Sequence, residues 1–239
     1  MDTLTAFSVI ALAALIHASF QLGVSMITLL SGHAIGKKIA AKRTLRLVGA
    51  FFAGTLIMTA LIVSSLSYTA SVFFGHSVTP MAWGTLASAM IIIGLVVWVC
   101  YYRRGPGTLL WVPRNLAKFL SKRIHATQMS AEAFSLGLTS VFMELLFIIT
   151  PAVAAAFAII ALPANLQLAG VATYVVLASL SMLAVTAFIG SGHNISRLQR
   201  WREANKRFLQ FAGGSALIIL AFYLYVNVVI TPVVVARAG

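Results

Sequence analysis

Polar and apolar positions in this chain fall into blocks rather than alternating. Runs free of Lys, Arg, Asp and Glu cover Leu4–Leu30, Val48–Phe74, Ala82–Tyr102, Leu166–Ile189 and Phe208–Pro232. A sixth run, Ala133–Ile160, is interrupted only by Glu144. Each reaches the roughly 20 residues that a helix needs to cross a hydrocarbon core of about 30 Å. Inside lipid the backbone must satisfy its own hydrogen bonds, and the period-two alternation of barrel strands is missing. The pattern therefore predicts an all-α, polytopic membrane protein with six transmembrane helices, forming a single transmembrane domain over residues 1–239. The first run is too long for the apolar core of a signal peptide, and Met1-Asp2-Thr3 carries no Lys or Arg. It is expected to be a permanent span.

The connections between runs sort by charge. The first carries Lys37, Lys38, Lys42, Arg43 and Arg46; the third carries Arg103, Arg104, Arg114, Lys118, Lys122 and Arg123; the fifth carries Arg197, Arg200, Arg202, Lys206 and Arg207. The second and fourth carry none, and of the 17 Lys and Arg only Arg237 lies elsewhere. Basic loops stay on the cytoplasmic side. The expected orientation is N-out and C-out, in a bacterial-type inner or plasma membrane. A formal net charge of +13 would point to nucleic acid on a soluble protein, but here it is confined to the loops of one side, so no nucleic-acid partner is expected. In the long third connection Arg114, Lys118 and Lys122 recur every fourth residue between Trp111, Leu116, Phe119, Leu120 and Ile124. This fits a cytoplasmic amphipathic linker over 103–131, with those three cations on anionic lipid. A plain solvated connector is the competing reading.

Two stretches repeat. Ala6-Phe7-Ser8 in the first run returns as Ala133-Phe134-Ser135 in the fourth, and Ser88-Ala89 in the third returns as Ser215-Ala216 in the sixth, at one shared offset. The same offset sets His17 on Glu144 and Phe20 on Phe147. Copies of a three-helix unit must insert with opposite orientation, so repeat 1 (4–102) and repeat 2 (132–232) are expected to form two inverted three-helix repeats. Secondary transporters with such repeats bind substrate near the midplane, at the interface of the halves.

The candidate chemistry follows from rarity. The only acids are Asp2, Glu132, Glu144 and Glu203, and Glu144 alone lies deep within an apolar run. A carboxylate at the bilayer centre costs roughly 2.5–3.5 kcal/mol on insertion scales, so such residues face a bundle interior or a wet cavity. Glu144 is expected to bind a proton or cation, with His17 as partner. The alternative is a protonated acid that bonds a neighbouring helix backbone. Gln21, one turn after His17, and Thr150 would add polar contacts, and Pro151 would free a backbone carbonyl beside the acid. His17 and Glu144 are tentative metal ligands. His33 and His193, in the echoing Ser31-Gly32-His33 and Ser191-Gly192-His193, form a weaker metal pair, and a helix C-terminal signal explains them equally. Cys100 is the single cysteine, so no thiol pair exists within one chain. No phosphate-binding loop, dinucleotide fingerprint or nucleophile elbow is present; neither an enzyme nor a cofactor is expected.

Six spans in two triplets, a basic central connection, Phe134-x-x-Gly137-Leu138 opening the fourth span, and a basic stretch before Gly213-Gly214 resemble the lysine-exporter (LysE) superfamily. That superfamily includes amino-acid exporters, metal-ion exporters and cytochrome-c-biogenesis thiol carriers of the CcdA type. The resemblance implies a secondary-active exporter. Ala152 follows Pro151 where the thiol carriers have cysteine, and Met143-Glu144 stands where the amino-acid exporters have Asn-Pro. His17 and Gly32-His33 are too far apart to match the nickel-type exporters' motif. The expectation is an exporter of a small cationic solute, a divalent metal ion or an amino acid, coupled to protons or another cation. The alternative is a non-transport membrane scaffold or assembly subunit. Nothing in the sequence excludes a homo-oligomer.

Overall fold

A computed structural model of the protein describes residues 1–20, 22–31, 38–102, 104–105, 111, 122–124, 127–191 and 195–231. The apolar runs form helices: α1 (Thr3–Ser19), α2 (Leu22–Ser31), α3 (Lys38–Phe74), α4 (Pro80–Cys100), α5 (Ser130–Ile160), α6 (Ala164–Ala178), α7 (Leu180–Gly190), α8 (Ile195–Ala204) and α9 (Lys206–Leu224). A π-helical stretch, Tyr225–Ile230, continues α9. Among the described residues there is no strand. Helix starts carry side-chain acceptors for the amides that have no partner in the first turn. The Asp2 carboxylate accepts from the Thr5 amide (3.4 Å), and Thr79 Oγ1 accepts from the Ala82 amide (3.3 Å) with Pro80 at the first helical position. Glu132 reaches back to the amides of Gln128 (3.0 Å) and Met129 (3.3 Å).

Four helices are each long and apolar enough to cross a membrane: Lys42–Phe74, Pro80–Cys100, Ser130–Ile160 and Lys206–Ile230. Two helix pairs, α1 with α2 bent by 43° and α6 with α7 bent by 51°, bring the number to six if each pair is counted as one span. The sequence predicts one helix in each of these runs, and the bends have separate causes. At Ser179 the hydroxyl donates to Val175 O (2.7 Å) while the amide is shared between Val175 O and Val176 O (3.2 Å each). A side chain competing for the ladder in this way bends a helix. After α1 the Phe20 amide closes onto His17 O (3.0 Å), and the chain restarts at Leu22 against an acceptor from another helix.

That other helix is α5, the most buried of the long helices, packed against α1, α3, α4 and α6. Its second half carries Ala152, Ala154, Ala155, Ala156 and Ala158, all buried, so neighbouring backbones approach closely. The tightest crossing joins α3 to α5. A Cβ on Gly54 would collide with Phe134 O, and one on Gly137 with Phe51 O. A second crossing joins α4 to α9, where a Cβ on Gly94 would lie 2.9 Å from Gly214 O and one on Gly214 2.7 Å from Gly94 O. On α3, Gly54 makes the crossing while a Cβ on Gly49 would meet nothing within 4 Å.

The polar ends of the bundle differ. His76 Nδ1 lies 3.3 Å from Ile160 O, so the uncharged turns after α3 and after α5 share one end. At the other, Lys206 Nζ donates to Gly105 O (2.7 Å), joining two basic connections. Arg114 and Lys118 lie outside the described residues; Lys122 is exposed.

Candidate functional site: a buried carboxylate at a broken helix

Glu144 sits at the middle of α5 and is 1% exposed. Its Oε1 accepts from the Gly23 amide (2.9 Å), and the Leu22 amide also bonds the carboxyl group. These two amides open α2. A helix N-terminus presents unpaired N–H groups and a partial positive charge, and a carboxylate answers both. Glu144 therefore caps a half-helix across the bundle, at a depth where water is not the partner.

Aromatic rings surround this contact. Phe20, at the end of α1, stacks on Phe147, one turn beyond Glu144, with centroids 6.0 Å apart and planes 7° apart. Tyr101 meets both edge-on, at 5.1 Å from Phe20 and 5.7 Å from Phe147, and its hydroxyl donates to Ser19 O (3.1 Å). A cation enters from the basic end. Arg202, half-buried on α8, donates through Nη1 to Ser25 Oγ (3.1 Å) in the first turn of α2. Its guanidinium thus reaches the same first turn of α2 whose amides Glu144 caps. On the far side of α2, a Cβ on Gly23 would strike Met182, whose sulfur accepts from Thr55 Oγ1 (3.1 Å).

His17 is buried, but its partner is not Glu144. Its Nδ1 lies 2.9 Å from the Tyr174 hydroxyl, with ring centroids 5.7 Å apart, and this bond ties α1 to α6. The expected pair is thus two separate contacts in the same bundle. Thr150 is buried with an unpartnered hydroxyl. Pro151 follows it inside an unbroken α5; a proline has no N–H, so Phe147 O loses its usual donor one turn back. Gln21, His33 and His193 lie outside the described residues. Among those described, no three His, Cys, Asp or Glu side chains converge as a metal-holding group.

Four contributors escape sequence reasoning: Gly23, Tyr101, Tyr174 and Arg202. Two had a visible signal. Gly23 is the lone glycine in the first apolar run, and Tyr174 is the lone tyrosine in the fifth. Arg202 looks like any loop cation until α8 turns it back onto α2.

No protein-family model matches the chain, and neither a curated protein nor a solved structure matches it. The likeness to the lysine-exporter superfamily stands on the sequence motifs alone, and function must be argued from the site.

Proposed function

We propose that the chain is a secondary-active transporter that exchanges protons for a small cationic solute, an amino acid or a divalent metal ion, at Glu144. The observation that carries this reading is the membrane helix broken opposite a buried carboxylate. An unbroken helix would leave no amides for Glu144 to cap. A broken one needs an acceptor, and an acceptor that takes up a proton can change how well the break is sealed. Protonation weakens both the hold of Glu144 on the α2 amides and its attraction for Arg202. That frees α2 to move relative to α5. Discontinuous helices with their ends at the substrate site are a recurring device of transporters. A cationic solute and a proton would compete for the one carboxylate, so a single acid suffices for exchange.

An inverted repeat would allow a rocking mechanism, and two features fit one. Helices start at matched places in the two halves: Thr3 with Ser130, Lys38 with Ala164, Pro80 with Lys206. A residue touches its own equivalent only near an axis relating the halves. Two such contacts occur, Phe20 on Phe147 and Thr55 on Met182, the latter 127 residues apart. Both lie beside the α2 break. Exchange against protons that enter down their gradient would carry the solute out, so the direction expected is export.

A non-transport scaffold is the second reading, favoured by the complete burial of Glu144 and by the structural bond of His17 to Tyr174. Proteoliposome flux decides between them, with amino acids and divalent metals as cargo and an imposed pH gradient. Glu144→Gln keeps an acceptor for Gly23 but cannot exchange a proton. Its gradient-driven flux should fall to that of empty vesicles, whereas His17→Ala should slow flux and leave its pH dependence. Equal flux in wild type and Glu144→Gln, or none for any cargo in wild type, overturns the transport reading.

A further inference from the structure

A second polar feature lies away from Glu144, at the end that carries the basic connections. There a cavity of about 770 Å³ opens between the C-terminal end of α4 and the start of α9. Its lining includes Arg104, Lys206 and Arg207 and, among the described residues, no Asp or Glu. Glu203, the nearest acid in sequence, is not part of it. The walls are fixed by bonds that leave the space open. Trp98 stacks on Phe211 at 5.7 Å and donates from Nε1 to Phe211 O (3.1 Å). Gln210 donates to Val97 O (3.1 Å) and Trp98 O (2.8 Å).

From the mouth of this cavity an apolar surface runs toward the membrane interior. Val99 is 70% exposed and Phe211 60%. Phe208, Phe211, Ile219 and Phe222 follow on α9 at helical spacing, with Ile92, Leu95 and Val96 on α4, all exposed. Three cations at one end of a strip of open hydrocarbon surface match a ligand with an anionic head and an apolar tail. Basic pockets between transmembrane helices on the cytoplasmic side hold acidic headgroups in this manner. Tryptophan is enriched at the headgroup level, and Trp98 in the cavity lining is exposed.

We infer that this cavity binds the phosphate headgroup of an anionic phospholipid, with the acyl chains laid along the exposed α4–α9 face. Its residues are not those of the Arg114, Lys118 and Lys122 stretch. It does not depend on the transport reading, because it needs only that α4 and α9 cross the membrane.

The test uses the full chain, delipidated in detergent and titrated with phosphatidylglycerol or phosphatidylcholine, with bound lipid counted by native mass spectrometry. Phosphatidylglycerol should be preferred. A basic side chain near an anionic headgroup contributes roughly five-fold in affinity, so Arg104→Gln with Arg207→Gln should weaken phosphatidylglycerol binding about 25-fold. Arg207→Gln alone should weaken it about five-fold. Both residues are exposed, and circular dichroism checks that the variants stay helical. Arg207→Lys should bind nearly as wild type. Inorganic phosphate and glycerophosphoglycerol, which lack acyl chains, should fail to displace the lipid at millimolar concentration. Equal binding of the two lipids, unchanged binding in folded Arg207→Gln, or displacement by phosphate alone would each overturn the proposal.

Discussion

At the scale of single residues, Glu144 does two jobs that substitution can separate. Its oxygens satisfy the amides of Leu22 and Gly23, and as a carboxylate it brings negative charge to the turn of α2 that Arg202 also reaches. Leucine in its place removes both, leaving buried donors unpaired at about 1–3 kcal/mol each. Glutamine retains an acceptor and loses only the charge. Glu144→Leu should therefore lower the thermal unfolding midpoint in detergent well below that of Glu144→Gln. If the two variants melt together, the α2 cap is not what holds this residue in place. The importance of Glu144 was legible in the sequence because a lone acid in an apolar run is expensive. Its partner was not. A histidine matched in the other half looked like the natural counterpart, yet a carboxylate in a dry interior takes the nearest dense set of donors, and a helix N-terminus is one. His17 found the Tyr174 hydroxyl for the same reason.

At the scale of elements, hydropathy locates the spans well because every apolar run must become helix in lipid. It is blind to breaks, since what stabilises a break comes from elsewhere: Glu144 from α5 for the first span, a serine hydroxyl for the fifth. Glycine patterns are equally mixed. Small residues spaced four apart announce close packing, but only the glycine that faces a neighbour matters. Gly54 meets the α5 backbone, while Gly49, in the same stretch of sequence, meets nothing within 4 Å. Gly54→Val should push α3 off α5 and cost about 1–3 kcal/mol, the usual penalty of overpacking. Gly49→Ala should change stability by no more than about 0.5 kcal/mol, as surface substitutions do. Paired thermal melts in the same detergent read the contrast directly, and equal losses would mean that the α3–α5 crossing is not the tight one.

At the scale of the whole molecule, the two ends of the bundle carry opposite instructions to the membrane. The turn before α4 and the turn before α6 share one end, joined by His76 and Ile160, and neither holds a Lys or Arg. The two connections that meet through Lys206 and Gly105 hold 11 of the 17 Lys and Arg. Bringing the uncharged turns together required the fold; counting charges required only the sequence. Both lead to the same expected orientation, uncharged end outward, because short basic loops resist translocation. Replacing the single Cys100 by serine gives a background for labelling. Ser77→Cys, exposed in the turn before α4, should react with a membrane-impermeant maleimide in intact cells. Arg200→Cys, exposed on α8, should react only after permeabilisation. The reverse pattern would turn the protein over and put the Arg202 face of the α2 break outside.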